Sequence, residues 1–154
     1  MQDQDLIKLA YQARQRAYTP YSHFSVGAAL ETADGTVFQG CNIENATYTP
    51  TICAERTAFF KAVSEGYRHF RQIAIVGGYA KDSGADAAGM NPDEAEMETE
   101  NFAPPCGVCR QVMAEFCDPE TFRIILARSP QDYQSFTLNE LLPLNFGPKD
   151  LQKA

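Results

Sequence analysis

Apolar positions along this chain change their period several times, and each change predicts an element. Between residues 5 and 17 they fall at Leu6, Ile7, Leu9, Ala10, Ala13 and Ala17, the spacing of a helix with one buried face. Pro20 ends the pattern, because a residue before proline, here Thr19, is pushed out of helical geometry. Residues 24–31 and 36–41 flank Asp34-Gly35, a short turn signal that predicts a β-hairpin. Residues 42–50 are polar and predict a loop. Thr51 then stands where it can cap a helix with Ala54, Ala58 and Ala62 on one face, ending at Gly66.

Ile73-Ala74-Ile75-Val76 is a short apolar run of the kind found in buried strands. Residues 81–103 show no apolar period and read as a long mobile loop. Cys106 opens a second helix, with Val108, Val112 and Phe116 spaced four apart along its expected inner face. Residues 123–127 predict another buried strand and residues 133–136 an edge strand. Thr137 and Glu140 match a capping box for a short last helix. Helix, hairpin, then helices alternating with strands point to a layered α/β sandwich. The length of 154 residues suits one domain, spanning 1–154 with an insertion at 81–103.

Charge narrows the function. The net charge is −7, with 20 acids against 13 bases. Seven of those acids, Asp82, Asp86, Asp93, Glu94, Glu96, Glu98 and Glu100, lie in one stretch that holds no base from Asp82 to Glu100. Polyanion binding needs basic surface to displace counterions, so nucleic acid is not the expected partner. No stretch approaches the ~20 apolar residues of a membrane span, and a cytoplasmic protein is expected. A linker in place of residues 83–99 is expected to leave turnover and stability nearly unchanged, because loops lengthen at little thermodynamic cost.

Five cysteines in a chain of this kind favour metal or catalytic use over a disulfide framework. Cys53 lies two residues before Glu55, and Cys106 lies three before Cys109. Three thiolates leave one position of a tetrahedral zinc site open for water, with Glu55 close enough to exchange protons there. Helix N-termini at Cys53 and Cys106 would favour thiolate. Arg56 could offset the excess negative charge. Two other readings stay open on these residues: a redox pair at Cys106 and Cys109, or a structural four-cysteine site recruiting Cys41 or Cys117. The redox pair leaves Cys53 and Glu55 without a role.

The stretches Tyr21-Ser-His-Phe-Ser-Val-Gly-Ala-Ala-Leu30, Cys41-Asn-Ile-Glu-Asn-Ala46, Thr51-Ile-Cys-Ala-Glu-Arg-Thr-Ala58, Pro105-Cys-Gly-Val-Cys-Arg-Gln111 and Leu141-Leu-Pro-Leu-Asn-Phe-Gly-Pro148 together resemble the small, homotetrameric, zinc-dependent cytidine deaminases over nearly the whole chain. The resemblance implies a three-layer α/β/α sandwich on a mixed sheet of five strands. It implies one Zn²⁺ per chain on Cys53, Cys106 and Cys109, with Glu55 as proton carrier and Arg56 compensating thiolate charge. It further implies hydrolysis of cytidine, and of deoxycytidine, in cytoplasmic pyrimidine salvage. By the same resemblance Phe24 stacks on the base, Asn42 and Glu44 bind the ribose, and the Ala54 N–H reaches the base. Tyr48 and Phe146 complete a neighbouring subunit's pocket. By residue type alone, Phe24 also reads as plain core, and Asn42 and Glu44 as solvated loop. Thr49-Pro50 departs from the family's usual Gly followed by an aliphatic residue. A deaminase of a modified or antibiotic cytosine nucleoside, and a structural zinc module, are the alternatives.

Overall fold

The computed structural model describes residues 1–79 and 96–151. In chain order it contains α1 (Asp3–Arg14), β1 (Phe24–Thr32), β2 (Val37–Cys41), α2 (Ala54–Ser64), β3 (Phe70–Tyr79), α3 (Gly107–Phe116), β4 (Arg123–Ser129), β5 (Asp132–Thr137), α4 (Leu138–Leu141) and α5 (Pro148–Leu151). The five strands form one sheet in the order β2-β1-β3-β4-β5. Only the β3–β4 pair is parallel, and α3 makes the crossover between those two strands. The sheet is therefore mixed, as expected.

Strand alternation puts a core on each face. Ala28 and Leu30, Ile73 and Ile75, and Ile124 and Leu126 face α2 and α3. Their neighbours Ala29, Ala74, Val76, Ile125 and Ala127 face α1, against Leu6, Ile7, Ala10 and Tyr11. A sheet buried on both sides is why these strands read as continuous apolar runs rather than alternating ones. The three layers follow directly. No described helix is long and apolar enough to cross a membrane.

The local expectations hold with four corrections. The first helix stops at Arg14, not Ala17: Arg16 and Ala17 close tight turns, and the Tyr18 N–H then bonds the Asn42 carbonyl at 3.0 Å. The chain is thereby drawn off to pair with the loop. Thr51 does not cap α2; its hydroxyl accepts from the Asn45 N–H, and the paired Ile43 and Ile52 delay the helix until Ala54. On α3 the buried side chains are Cys109, Met113 and Ala114, while Val108 is exposed. Turning Cys109 inward toward the other thiols rotates Val108 out.

The fourth correction concerns the acidic stretch. Residues 80–95 lie outside the described residues, but 96–103 are not a loose loop. Met97 and Thr99 are buried, and the Thr99 N–H bonds the Arg128 carbonyl at 2.8 Å. A replacement reaching Thr99 would remove packed structure, contrary to the expectation from composition. The Thr137–Glu140 capping box is present, with both of its reciprocal bonds.

Candidate metal centre and active site

Two helix N-termini build the site. Gly40 on β2 lies under the start of α2, where a Cβ would come within 2.3 Å of the Ala54 carbonyl oxygen and 2.6 Å of the Ala58 nitrogen. Lacking that atom, β2 lets the first turn of α2 rest directly on the sheet, with Ala54 and Glu55 buried. Cys53 is the N-cap of α2 and Cys106 the N-cap of α3, with Cys109 in the first turn of α3. The Cys106 sulfur accepts from the Cys109 N–H at 3.4 Å.

The three sulfurs all lie within 4.8 Å of one another. Cys53 Sγ is 3.8 Å from Cys106 Sγ, which is 3.4 Å from Cys109 Sγ. Tetrahedral zinc with bonds of about 2.3 Å spans sulfurs about 3.8 Å apart, so the spacing fits. The charges fit too. The Cys53 thiol is lowered to about 5, first by hydrogen bonding with Cys109 and with help from Arg56, against the effect of burial. The Cys109 thiol is pushed far up, by the same bond with Cys53, by burial and by Glu55. These are two views of one conflict: the pair accepts a first negative charge readily and resists a second. A divalent cation among the sulfurs removes the conflict.

Arg56 Nη2 donates to Cys53 Sγ at 3.4 Å, and that bond raises the guanidinium pKa further. Its Nε is buried with no partner among the described residues. Burial pushes the Glu55 carboxyl up to about 7; hydrogen bonding from its own backbone opposes this, and the Cys53 charge adds to the rise. Glu55 Oε2 is 3.7 Å from Cys109 Sγ.

A cavity of about 250 Å³ opens onto this group. Cys53, Glu55 and Cys106 line it beside Phe24, Val26, Asn42 and Ala54. Phe102, Ala103 and Pro104 supply another wall. The expected residues Phe24, Asn42 and Ala54 therefore converge with the thiols. The Asn42 amide is held in place, its Oδ1 accepting from Val26 N–H (2.9 Å) and its Nδ2 donating to the Phe24 carbonyl (2.8 Å).

Other expected residues stand apart from this lining. Glu44 Oε1 accepts from the Tyr21 and Ser22 N–H groups, each at 3.1 Å. Burial works upward on its carboxyl, but these bonds outweigh it and hold the pKa below the usual value. Tyr48 is exposed, has a φ of 63° and meets Tyr21 edge-on at 6.0 Å. Phe146 is likewise exposed. Neither Cys41 nor Cys117 joins the thiol group, so a four-cysteine site is not formed among the described residues. Sequence reasoning does not single out Val26, Phe102, Ala103 or Pro104, although a stretch that returns just ahead of Pro104 has to end at the rim of the site. The available signal was the apolar pair Phe102-Ala103 just ahead of Pro104-Pro105.

Residues 1–124 match the family model for the cytidine and deoxycytidylate deaminase zinc-binding region. A cytidine deaminase of Sporosarcina psychrophila is 44% identical, covering 100% of this chain and 98% of its own. One from Halalkalibacterium halodurans is 47% identical, covering 98% of each. The crystal structure of cytidine deaminase from Burkholderia pseudomallei superposes with a TM-score of 0.77 at 43% identity, covering 95% of this chain and 100% of that one.

Proposed function

Since this chain belongs to the zinc-dependent cytidine deaminase family, we propose that the cavity over its three thiols binds cytidine and that Glu55 moves the protons of its deamination. The enzyme converts cytidine and water to uridine and ammonia. Zinc, when held by Cys53, Cys106 and Cys109, supplies a water made nucleophilic at neutral pH.

The chain's own residues do the rest. Glu55 accepts the proton released by that water and gives one to N3 of the base. It then takes the proton of the hydroxyl now bonded to C4 and delivers it to the departing amine, so that the C4–N bond breaks and the C4 carbonyl of uridine forms. A carboxyl raised to about 7 suits this double duty, since it can gain and lose a proton near neutrality. Phe24 and Val26 offer apolar surface for the base, and the N–H of Ala54, a residue of the cavity lining at the start of α2, donates to the base carbonyl. Arg56 offsets thiolate charge through Cys53. Asn42, fixed against the β1 backbone at Val26 and Phe24, and Glu44, anchored on the Tyr21 and Ser22 N–H groups, bind the ribose hydroxyl.

The observation that carries this reading is the buried Glu55 beside three clustered thiols at a cavity. A purely structural zinc module has no use for either the carboxylate or the opening. Incubating the purified, zinc-loaded protein with cytidine should release ammonia and shift the absorbance from that of cytidine to that of uridine. A spectrum that stays constant would overturn the assignment.

The finer setting of this proposal is a single domain over residues 1–154 that also accepts deoxycytidine and serves pyrimidine salvage in the cytoplasm. The five described cysteines are all free thiols, in keeping with a reducing compartment. The protein works as a homotetramer, with Tyr48 and Phe146 reaching a neighbour's pocket. Their exposure and their place outside the chain's own cavity lining support this. Light scattering should give four times the chain mass; a monomer would refute shared sites.

A further inference from the structure

The segment from Met97 to Pro104 passes from one face of the sheet to the other. Met97 packs into the core on the α1 side, whereas Ala103 belongs to the core on the α2 and α3 side. Gly77 and Gly78 of β3 make a notch for the crossing. A Cβ on Gly78 would lie 3.2 Å from Thr99 Cγ2, and one on Gly77 would lie 2.7 Å from Ala103 Cβ and 3.2 Å from the Phe24 ring. Arg128 fastens the segment twice. Its carbonyl accepts from the Thr99 N–H and from the Tyr11 hydroxyl, and its guanidinium carbon lies 4.8 Å from the centroid of the Phe102 ring. Asp132 orients that guanidinium through a 2.9 Å bond to Nε. A part-buried phenyl ring is thus fixed in the cavity wall four residues before a thiol of the metal group.

We infer that Phe102 is a specificity-determining residue that contacts the C5 edge of the pyrimidine, with Arg128 as its positioning residue. This rests on the cytidine reading above. The reacting C4 must face the sulfurs, and Glu55 serves the N3 edge. The opposite edge of the ring, C5, is then left to a wall that does not contain Glu55. Phe24 and Val26 come from β1, and Phe24 is taken to cover a face of the base. The Phe102–Pro104 wall is what remains for C5. A fixed phenyl ring there limits how large a C5 substituent can be.

The test measures kcat/KM for cytidine, 5-bromocytidine and arabinosylcytosine with wild-type and Phe102→Ala enzyme. Wild-type turnover of cytidine checks the underlying reading independently. Phe102→Ala should raise the 5-bromocytidine-to-cytidine ratio by about 10-fold or more, the scale of one added or removed apolar group in a pocket. The arabinosylcytosine-to-cytidine ratio should stay put, since the sugar lies elsewhere. Arg128→Gln should move the bromo ratio in the same direction by about 2- to 5-fold, the scale of an exposed cation–π contact. Arg128→Lys, which keeps the cation, should move it less. If Phe102→Ala does not fold, Phe102→Leu replaces it with the same direction expected. A bromo ratio unchanged in the variant that folds, or equal loss on all three substrates, would reduce Phe102 to a structural residue and overturn the inference.

Discussion

Glu55 Oε2 stands 3.7 Å from Cys109 Sγ, so the proposed proton carrier is tied to the three-thiol group although the two lie on different helices. Chemistry and metal binding remain separable because Glu55 is not among the three clustered thiols. Glu55→Gln should retain about one zinc per chain by elemental analysis and lose at least ~10²-fold in turnover, the scale of a proton-transfer group. Near-normal turnover would move the base elsewhere.

Metal removal should abolish activity while leaving most of the fold. The two cores are built from α1, α2, α3 and the sheet, and most of their buried residues lie away from the thiols. Chelation followed by far-ultraviolet circular dichroism should show largely native secondary structure, and added zinc should restore turnover. Global unfolding on chelation would make the site structural.

Glu44 has one oxygen committed to the backbone of Tyr21 and Ser22. Glu44→Ala should therefore do two things. It should weaken cytidine relative to free cytosine by about 10- to 150-fold, the worth of a charged hydrogen-bond partner to a hydroxyl. It should also loosen the turn before β1, readable as faster hydrogen exchange at Tyr21 and Ser22. Equal effects on nucleoside and base would remove Glu44 from sugar recognition.

Stability should show an acid branch from Asp3. Its carboxylate faces Arg123 in two bonds, Oδ1–Nη1 at 3.1 Å and Oδ2–Nη2 at 3.0 Å. Hydrogen bonding from Arg123 holds its pKa below the ordinary 3.8, with burial opposing. A depressed folded-state pKa means the contribution is fully present above the unfolded value and is lost as pH falls through the folded one. Part exposure and screening keep it to about 1 kcal/mol or less. Asp3→Asn should unfold at lower urea than wild type near neutrality, and the gap should close well below pH 3.8. A gap that persists in acid would assign the effect to packing.

What could be read without a structure was whatever depends on neighbours in sequence. Ala54, Ala58 and Ala62 repeat at helical spacing and are all fully buried, because a helix brings such positions to one face whatever surrounds it. The Thr137–Glu140 box lies within a single turn, and its residues alone specify it. Cys53, Glu55, Cys106 and Cys109 were legible because a metal site restricts residue type and spacing so tightly.

Tertiary contact decided the remainder. Val108 and Cys109 are adjacent in sequence, and only the thiols across the site determine which of them turns inward. Composition makes residues 96–103 look solvated, since Glu96, Glu98 and Glu100 alternate with Met97 and Thr99. Yet Met97 and Thr99 find partners on α1, on β3 and at the end of β4, far away in sequence. Phe102 became part of the cavity for the same reason: its place depends on a notch at Gly77 and Gly78 and on Arg128 above it. Periodicity and motif spacing record what a segment can do alone, whereas a side chain buried by distant residues leaves no local pattern to read.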